Sequence, residues 1–410
     1  MEFIAYYIWI FAFVIIILAS VYFSIKCKFI QFNFYKIIKS FFNEDKRNLS
    51  IFFTSLGGRV GVGNIISVAY AIYYYGVGCI FWMWVISLII TVIIYLETYY
   101  GYKYRVLVDN NYVSGPSYYI KYGLGDNKLS VIYAILTIVA YSIGFNAIQA
   151  NTIAVNSSLN NYIIGIILMV FTFLSIKKGF NGILKVSSVL VPFMLLVYVL
   201  ISIYVIFNNF LVIPSIFKNI LYEAFNFKSV VGGLIPLLIA GAQRSIFSNE
   251  VGIGTSSITS ATSDCDFKKT SFMQIASVYI TSIIICTFTS IIILTSNYQI
   301  INFDSINGIE LAKYALIYHL GSIGDVILFI IIFLFAFSTI LTCYYYGESA
   351  LKFLNKNYLI NVLKLAVPLV LFVSSFMESS FIFNFIDVLT ALMCIINIYS
   401  LIKLSKKKDN

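Results

Sequence analysis

Apolar runs near the ~20 residues that cross a bilayer follow one another along the chain, separated by short polar connections. They predict eleven transmembrane helices, near residues 4–26, 51–76, 79–103, 129–158, 161–176, 184–207, 230–262, 269–296, 323–353, 358–377 and 380–402. The expected fold class is therefore an all-α integral membrane protein. Several runs exceed a straight span, which predicts tilt, breaks or extension past the bilayer. Two of them are not uniformly apolar: the second carries "SLGGRVGVGNI" (Ser55–Ile65) and the seventh "GAQRSIFSNEVGIGTSS" (Gly241–Ser257). Glycine weakens a helix by about 1 kcal/mol relative to alanine, and arginine is costly in hydrocarbon. A helix built only to span a membrane would carry neither.

Composition agrees with the pattern, at 60% hydrophobic and 11% charged residues in 410, against roughly a quarter charged in a soluble domain. The first run lacks the small-residue cleavage site of a signal peptide and is expected to be a retained anchor. The six cysteines form no CxxC pair, and His319 is the only histidine, expected in a loop. That leaves neither a nucleophile-and-base pair nor a histidine metal cluster, so a carrier is expected in preference to an enzyme. With these spans, the basic residues of 26–47, 103–128, 177–185, 268–269, 352–364 and 403–408 fall on one side, and Lys218, Lys228 and Lys313 on the other. The positive-inside rule then places the N-terminus outside and the C-terminus in the cytoplasm of a cell membrane, bacterial inner or plasma. The net charge of +10 needs no nucleic-acid partner.

Setting aside the anchor and its linker (1–50), ten helices remain, and the two glycine-interrupted spans open two groups of five, 51–229 and 230–410. Because five is odd, the second group enters from the opposite face, giving an inverted repeat. Paired interruptions at equivalent places point to a transporter's binding site. An unwound stretch at membrane depth is tolerable only where something polar meets its free N–H and C=O groups. The half-helix starting near Val62–Gly63–Asn64 can offer amides to a carboxylate, while carbonyls of the preceding half can coordinate a cation.

The segments "GRVGVGNIISVAYAIYYYGVGCIFWMW", "SGPSYYI", "QAN", "RSIFSNEVGIGTSS" and "FAFSTILTCYYYGE" resemble, in order, the signatures of the sodium:alanine (alanine or glycine:cation) symporter family. The resemblance implies a LeuT-like fold of two inverted five-helix repeats after an extra helix. It also implies sodium-driven uptake of small neutral amino acids, with Na+ as coupling ion and no organic cofactor. A sodium ion is then expected between the carbonyls of Gly57, Val60 and Phe335 and the hydroxyls of Ser338 and Thr339. For the amino acid, Val62 and Gly63 would meet the carboxylate, and Asn64 would bridge toward substrate or ion. Gln149 and Asn151 would face the centre. Phe247, Ser248 and Asn249 would close the other side, with Cys343 across the pocket.

Three departures from the family pattern stand out: Val62 where a threonine is common, Cys343 where a tryptophan is common, and no proline in the last helix, where Ile396 precedes Asn397. Losing an indole at 343 predicts room for side chains somewhat larger than alanine's. Arg59, Arg244, Glu250 and Asp387 are expected to pair among themselves, as gates or ties between broken helices. Glu250 is the residue that a competing, proton-coupled mechanism would use. Glu97 and Glu348 are expected in solvated or capping roles, and Ser114–Ile120 as an exposed loop entering a short helix. A channel is disfavoured, because the polar groups gather at two breaks and do not ring a pore.

Overall fold

The computed structural model describes residues 2–42, 44–108, 111–157, 159–225, 234–297, 308–377 and 379–407. Among these, eight helices are long and apolar enough to cross a membrane, and the apolar helices Asn161–Ile176 and Tyr358–Ser374 are shorter. The anchor Glu2–Lys26 packs on the last helix, Ser379–Lys406, and on Cys79–Lys103. Its lipid-facing side keeps Phe11, Leu18 and Ile25 exposed while Trp9, Ile16 and Phe23 are buried.

The second span begins at Lys46, a turn earlier than its apolar run, and breaks into Lys46–Arg59 and Gly63–Tyr75. The seventh breaks into Leu234–Asn249 and Thr255–Ser260; the boundary expected at 229/230 lies outside the described residues. These two interrupted helices sit at the centre. Lys46–Arg59 packs on Gly179–Asn208 and on the long helix Ile323–Phe353, and Leu234–Asn249 packs on Cys79–Lys103 and Gly63–Tyr75. Two other spans carry a wide π turn, Ile138–Phe145 between Asn127–Thr137 and Asn146–Val155, and Ile280–Ile285 between Phe267–Tyr279 and Cys286–Leu294. Such turns break the side-chain register of a helix and recur at functional sites.

Several local expectations change. The short helices Phe34–Lys39, Ile213–Phe225 and Gly308–Leu320, and an antiparallel hairpin pairing Val106–Val108 with Asn111–Val113, join the spans. His319 lies in the helix Gly308–Leu320, its ring nitrogen 3.0 Å from the Thr295 hydroxyl. The segment after the hairpin is not an exposed loop. Ser114, Ser117, Tyr118, Tyr119 and Ile120 are all buried, because Pro116 fills the space beside Gly254 in the second break, where a Cβ would come within 2.1 Å of its ring.

Candidate ion and substrate site

The first break is made by Val60, whose dihedrals (φ −81°, ψ 66°) leave the helix, followed by Gly61. In-helix bonding resumes with the Asn64 amide donating to the Gly61 carbonyl (3.2 Å) and the Ile65 and Ile66 amides to that of Val62 (3.0 and 2.9 Å). The Val62 and Gly63 amides are thus the free donors that begin a helix. Asn64 turns back onto the break: its Nδ2 donates to the Arg59 carbonyl at 2.6 Å, and its Oδ1 lies 3.6 Å from the Cys286 thiol.

Five residues expected around a cation come from two elements. The Ser338 and Thr339 hydroxyls, on the long helix, both approach the Gly57 carbonyl, at 3.1 and 3.0 Å. Both also back-bond to the Phe335 carbonyl, at 2.9 and 3.1 Å. Two carbonyls and two hydroxyls therefore converge at a point that holds no acid. The approach needs glycine at 57, where a Cβ would come within 2.8 Å of Val191 and 3.2 Å of Ser338. Val60, three residues after Gly57, is fully buried. One residue along, a Cβ on Gly61 would lie 2.7 Å from the Thr339 hydroxyl and 3.6 Å from Gln149 Oε1. Gln149 Oε1 is buried and accepts no hydrogen bond, so a polar acceptor faces the break. Asn151 faces elsewhere, donating to the Ser374 and Met377 carbonyls at 3.2 and 2.7 Å.

Across the break, the Phe247 ring edge would lie 3.2 Å from a Cβ on Gly63, and the Ser248 Cα 3.9 Å. Ser248 back-bonds to the Ser245 carbonyl. Asn249 is fully engaged: Nδ2 donates to the Ser245 carbonyl (2.8 Å) and to Ser282, while Oδ1 accepts from Thr281. Its own carbonyl accepts from Arg59 Nε at 3.0 Å. Aromatic rings continue away from Gly63: Phe247 stacks on Phe145 at 5.7 Å, Phe145 on Tyr141 at 4.8 Å, and Tyr141 meets Tyr346 edge-on at 4.8 Å. Cys343 is fully buried, one helical turn before Tyr346 on the long helix.

Arg59 and Glu250 are buried and Arg244 and Asp387 half-buried, and no ion pair within 4 Å joins any two of the four. Arg59 is satisfied by neutral acceptors: Asn249 O, Ser55 Oγ (2.9 Å), Gln274 Oε1 (2.8 Å), Ser277 Oγ and Ser256 Oγ (2.8 Å). Arg244 lies over the Tyr70 ring at 4.1 Å, and Asp387 accepts from Gln243 Nε2 at 3.2 Å. Glu250 stands just past the helix end with a left-handed φ of 54°; its carboxylate takes a weak hydrogen bond from the Tyr346 hydroxyl at 3.3 Å, and its carbonyl one from the Thr255 hydroxyl at 3.5 Å.

The second break has a clamp that sequence reading missed. Glu97 is completely buried, not solvated, and its Oε1 accepts the Gly254 amide at 2.9 Å and Asn397 Nδ2 at 2.8 Å. Asn397 also donates to the Gly252 carbonyl (2.8 Å) and accepts from Tyr119, while the Tyr133 hydroxyl donates to the Ile253 carbonyl at 2.6 Å. Gly252 and Gly254 hold φ of 86° and 79°, which side chains rarely adopt. Glu348 is likewise buried and paired with Lys352 at 2.7 Å. A lone carboxylate amid apolar residues was the available signal for Glu97; nothing in the sequence sets Tyr141 or Tyr346 apart from the other aromatics.

Comparison with known proteins identifies the family of the chain. The sodium:alanine symporter family profile matches residues 1–409. The chain belongs to that family. It is 33% identical over 413 residues to the amino-acid carrier protein AlsT of Bacillus subtilis, covering 97% of this chain and 88% of that one. It is 30% identical over 365 residues to the sodium/alanine symporter AgcS of Methanococcus maripaludis, covering 86% and 80%, and 31% identical over 408 residues to the B. subtilis protein named probable sodium/glutamine symporter GlnT, covering 96% and 85%. The fold is similar to that of a Na+-coupled sialic acid symporter solved in a substrate-bound outward-open state, with a TM-score of 0.56 at 12% identity over 96% of this chain and 82% of that one. The protein is therefore a multi-pass membrane transporter of the sodium-coupled amino-acid symporter class, not an enzyme.

Proposed function

We propose that the chain imports small neutral amino acids together with sodium by alternating access. The observation that carries this reading is the convergence of the Ser338 and Thr339 hydroxyls on the Gly57 and Phe335 carbonyls. Hard oxygens without a carboxylate suit a monovalent ion, with the Val60 carbonyl completing the set. The Val62 and Gly63 amides take the substrate carboxylate at a helix N-terminus, Phe247 bounds its side chain, and Gln149 and Ser248 face it from either side. Asn64 and Asn249 shape the two breaks. The ten helices after the anchor form two inverted groups of five, with the N-terminus outside and the C-terminus cytoplasmic. The names of AlsT and AgcS support an amino-acid cargo and alanine in its range, and that of GlnT supports side chains larger than a methyl group.

The test is uptake by the purified protein in liposomes, with a panel of labelled amino acids and an imposed sodium gradient. Accumulation that follows the sodium gradient and survives a protonophore at fixed sodium is expected. Accumulation that persists without sodium and collapses with the protonophore would replace sodium by protons as the coupling ion.

A further inference from the structure

The row of rings leading away from the amino-acid cradle ends at polar atoms that the protein itself does not satisfy. Glu250 is 2% exposed, yet its Oε1 accepts no hydrogen bond, and the hydroxyl of the fully buried Tyr141 has no partner. Buried polar groups are overwhelmingly paired, and leaving one unpaired costs about 1–3 kcal/mol. The row runs from Gly63 to Phe247, Phe145 and Tyr141, and Tyr141 meets Tyr346, whose hydroxyl reaches Glu250. Tyr346 closes its end, donating to Glu250 Oε2 and sitting 3.0 Å from where a Cβ on Gly58 would be.

We infer that Glu250 Oε1 and the Tyr141 hydroxyl form a side-chain subsite, and that the preferred substrate is a neutral amino acid whose side chain carries an O–H or N–H donor, a hydroxyl or a carboxamide. This rests on the symport reading and adds the polarity of the cargo to its size. A cationic side chain is disfavoured, because the buried Arg59 guanidinium, whose Nε donates to the carbonyl of neighbouring Asn249, already sets a positive charge close to Glu250. An apolar side chain of equal size leaves both atoms unpaired in a dry pocket. That is the arrangement by which protein sites discriminate most strongly, since a site built to hydrogen-bond rejects an analogue lacking the group far better than it rejects a missing methylene.

Threonine and valine have nearly the same shape and differ in the donor, so their ratio isolates the subsite. In sodium-driven uptake by liposomes containing the full chain, threonine should exceed valine in transport efficiency by about ten- to hundredfold. Glutamine should likewise exceed methionine, and lysine should fail to compete. Tyr141→Phe should cut the threonine-to-valine ratio several-fold, and Glu250→Leu should erase it. Equal use of threonine and valine by the native protein overturns the inference, as does an unchanged ratio in Tyr141→Phe. If Glu250→Leu does not fold, those two measurements decide. Sodium-dependent alanine uptake without donor preference refutes the subsite alone, whereas no sodium-dependent uptake of any amino acid refutes the symport reading beneath it.

Discussion

Thr339→Val keeps the shape of a fully packed side chain and replaces one oxygen by a methyl group. The Thr339 hydroxyl lies 3.0 Å from the Gly57 carbonyl and 3.1 Å from that of Phe335, so it stands inside the ring of oxygens where the ion is proposed to sit. An interaction between a charged group and one such dipole contributes about 1.5–3 kcal/mol. At about 1.4 kcal/mol per factor of ten, the half-saturating sodium concentration should rise ten- to hundredfold. The proposed amino-acid cradle at Val62 and Gly63 is untouched, so half-saturation for the amino acid, measured at saturating sodium, should move less than about threefold. The assay is initial uptake against sodium concentration in proteoliposomes, with Ser338→Ala as the companion variant. Sodium half-saturation unchanged in both variants would show that these oxygens only back-bond within their own helix.

Gly63→Leu should abolish uptake while membrane insertion and monodispersity persist, since even its Cβ would lie 3.2 Å from the Phe247 ring; normal uptake would mean that this glycine serves packing alone. Cys343→Trp adds an indole one helical turn before Tyr346, so preference should move toward glycine and alanine by about tens-fold, and an unchanged substrate ranking would put position 343 outside the pocket. Gly254→Ala combines a left-handed φ of 79° with a Cβ 2.1 Å from Pro116, and should lower the thermal unfolding temperature by several degrees, corresponding to about 2 kcal/mol or more; an unchanged melting curve would refute this. At the connection after the second broken helix, burial and a hydrogen bond to Glu44 push the Cys265 thiol up to about 11. Its alkylation rate, followed by peptide mapping, should therefore still climb with pH above about 8.5, where an ordinary thiol levels off.

How far the sequence speaks depends on whether a signal is local. Span length and glycine content are local, so the runs and both interruptions could be read from the string: helix ends at Arg59 and resumes at Gly63, and ends again at Asn249. Partners distant in sequence are not local. Glu97 resembled a helix-end acid because nothing nearby reveals that Gly254 and Asn397 will converge on it. Arg59 was expected to need a carboxylate because single residues do not show that a serine, a glutamine and a backbone carbonyl from three other segments can together saturate a guanidinium. Asn151 was expected at the centre because polarity in an apolar run does not say which neighbour it serves, and here it holds the end of Tyr358–Ser374.

The bonds of Arg59 bear on leakage. They run from the end of one interrupted helix to Asn249, before the other's break, and to Ser256, after it. A movement that opened either helix alone would strip a buried cation of these acceptors, and at about 1.5–3 kcal/mol for each hydrogen bond to a charged group, losing both costs about 3–6 kcal/mol. The two interruptions are therefore obliged to travel together. An ion that crosses without its cargo, or a cargo without its ion, requires a half-open carrier, and at about 1.4 kcal/mol per tenfold that conformer is populated hundreds to tens of thousands of times less. We propose that the fidelity of an energy-converting cycle is guarded in this way by a side chain that need touch neither of the species it keeps in step.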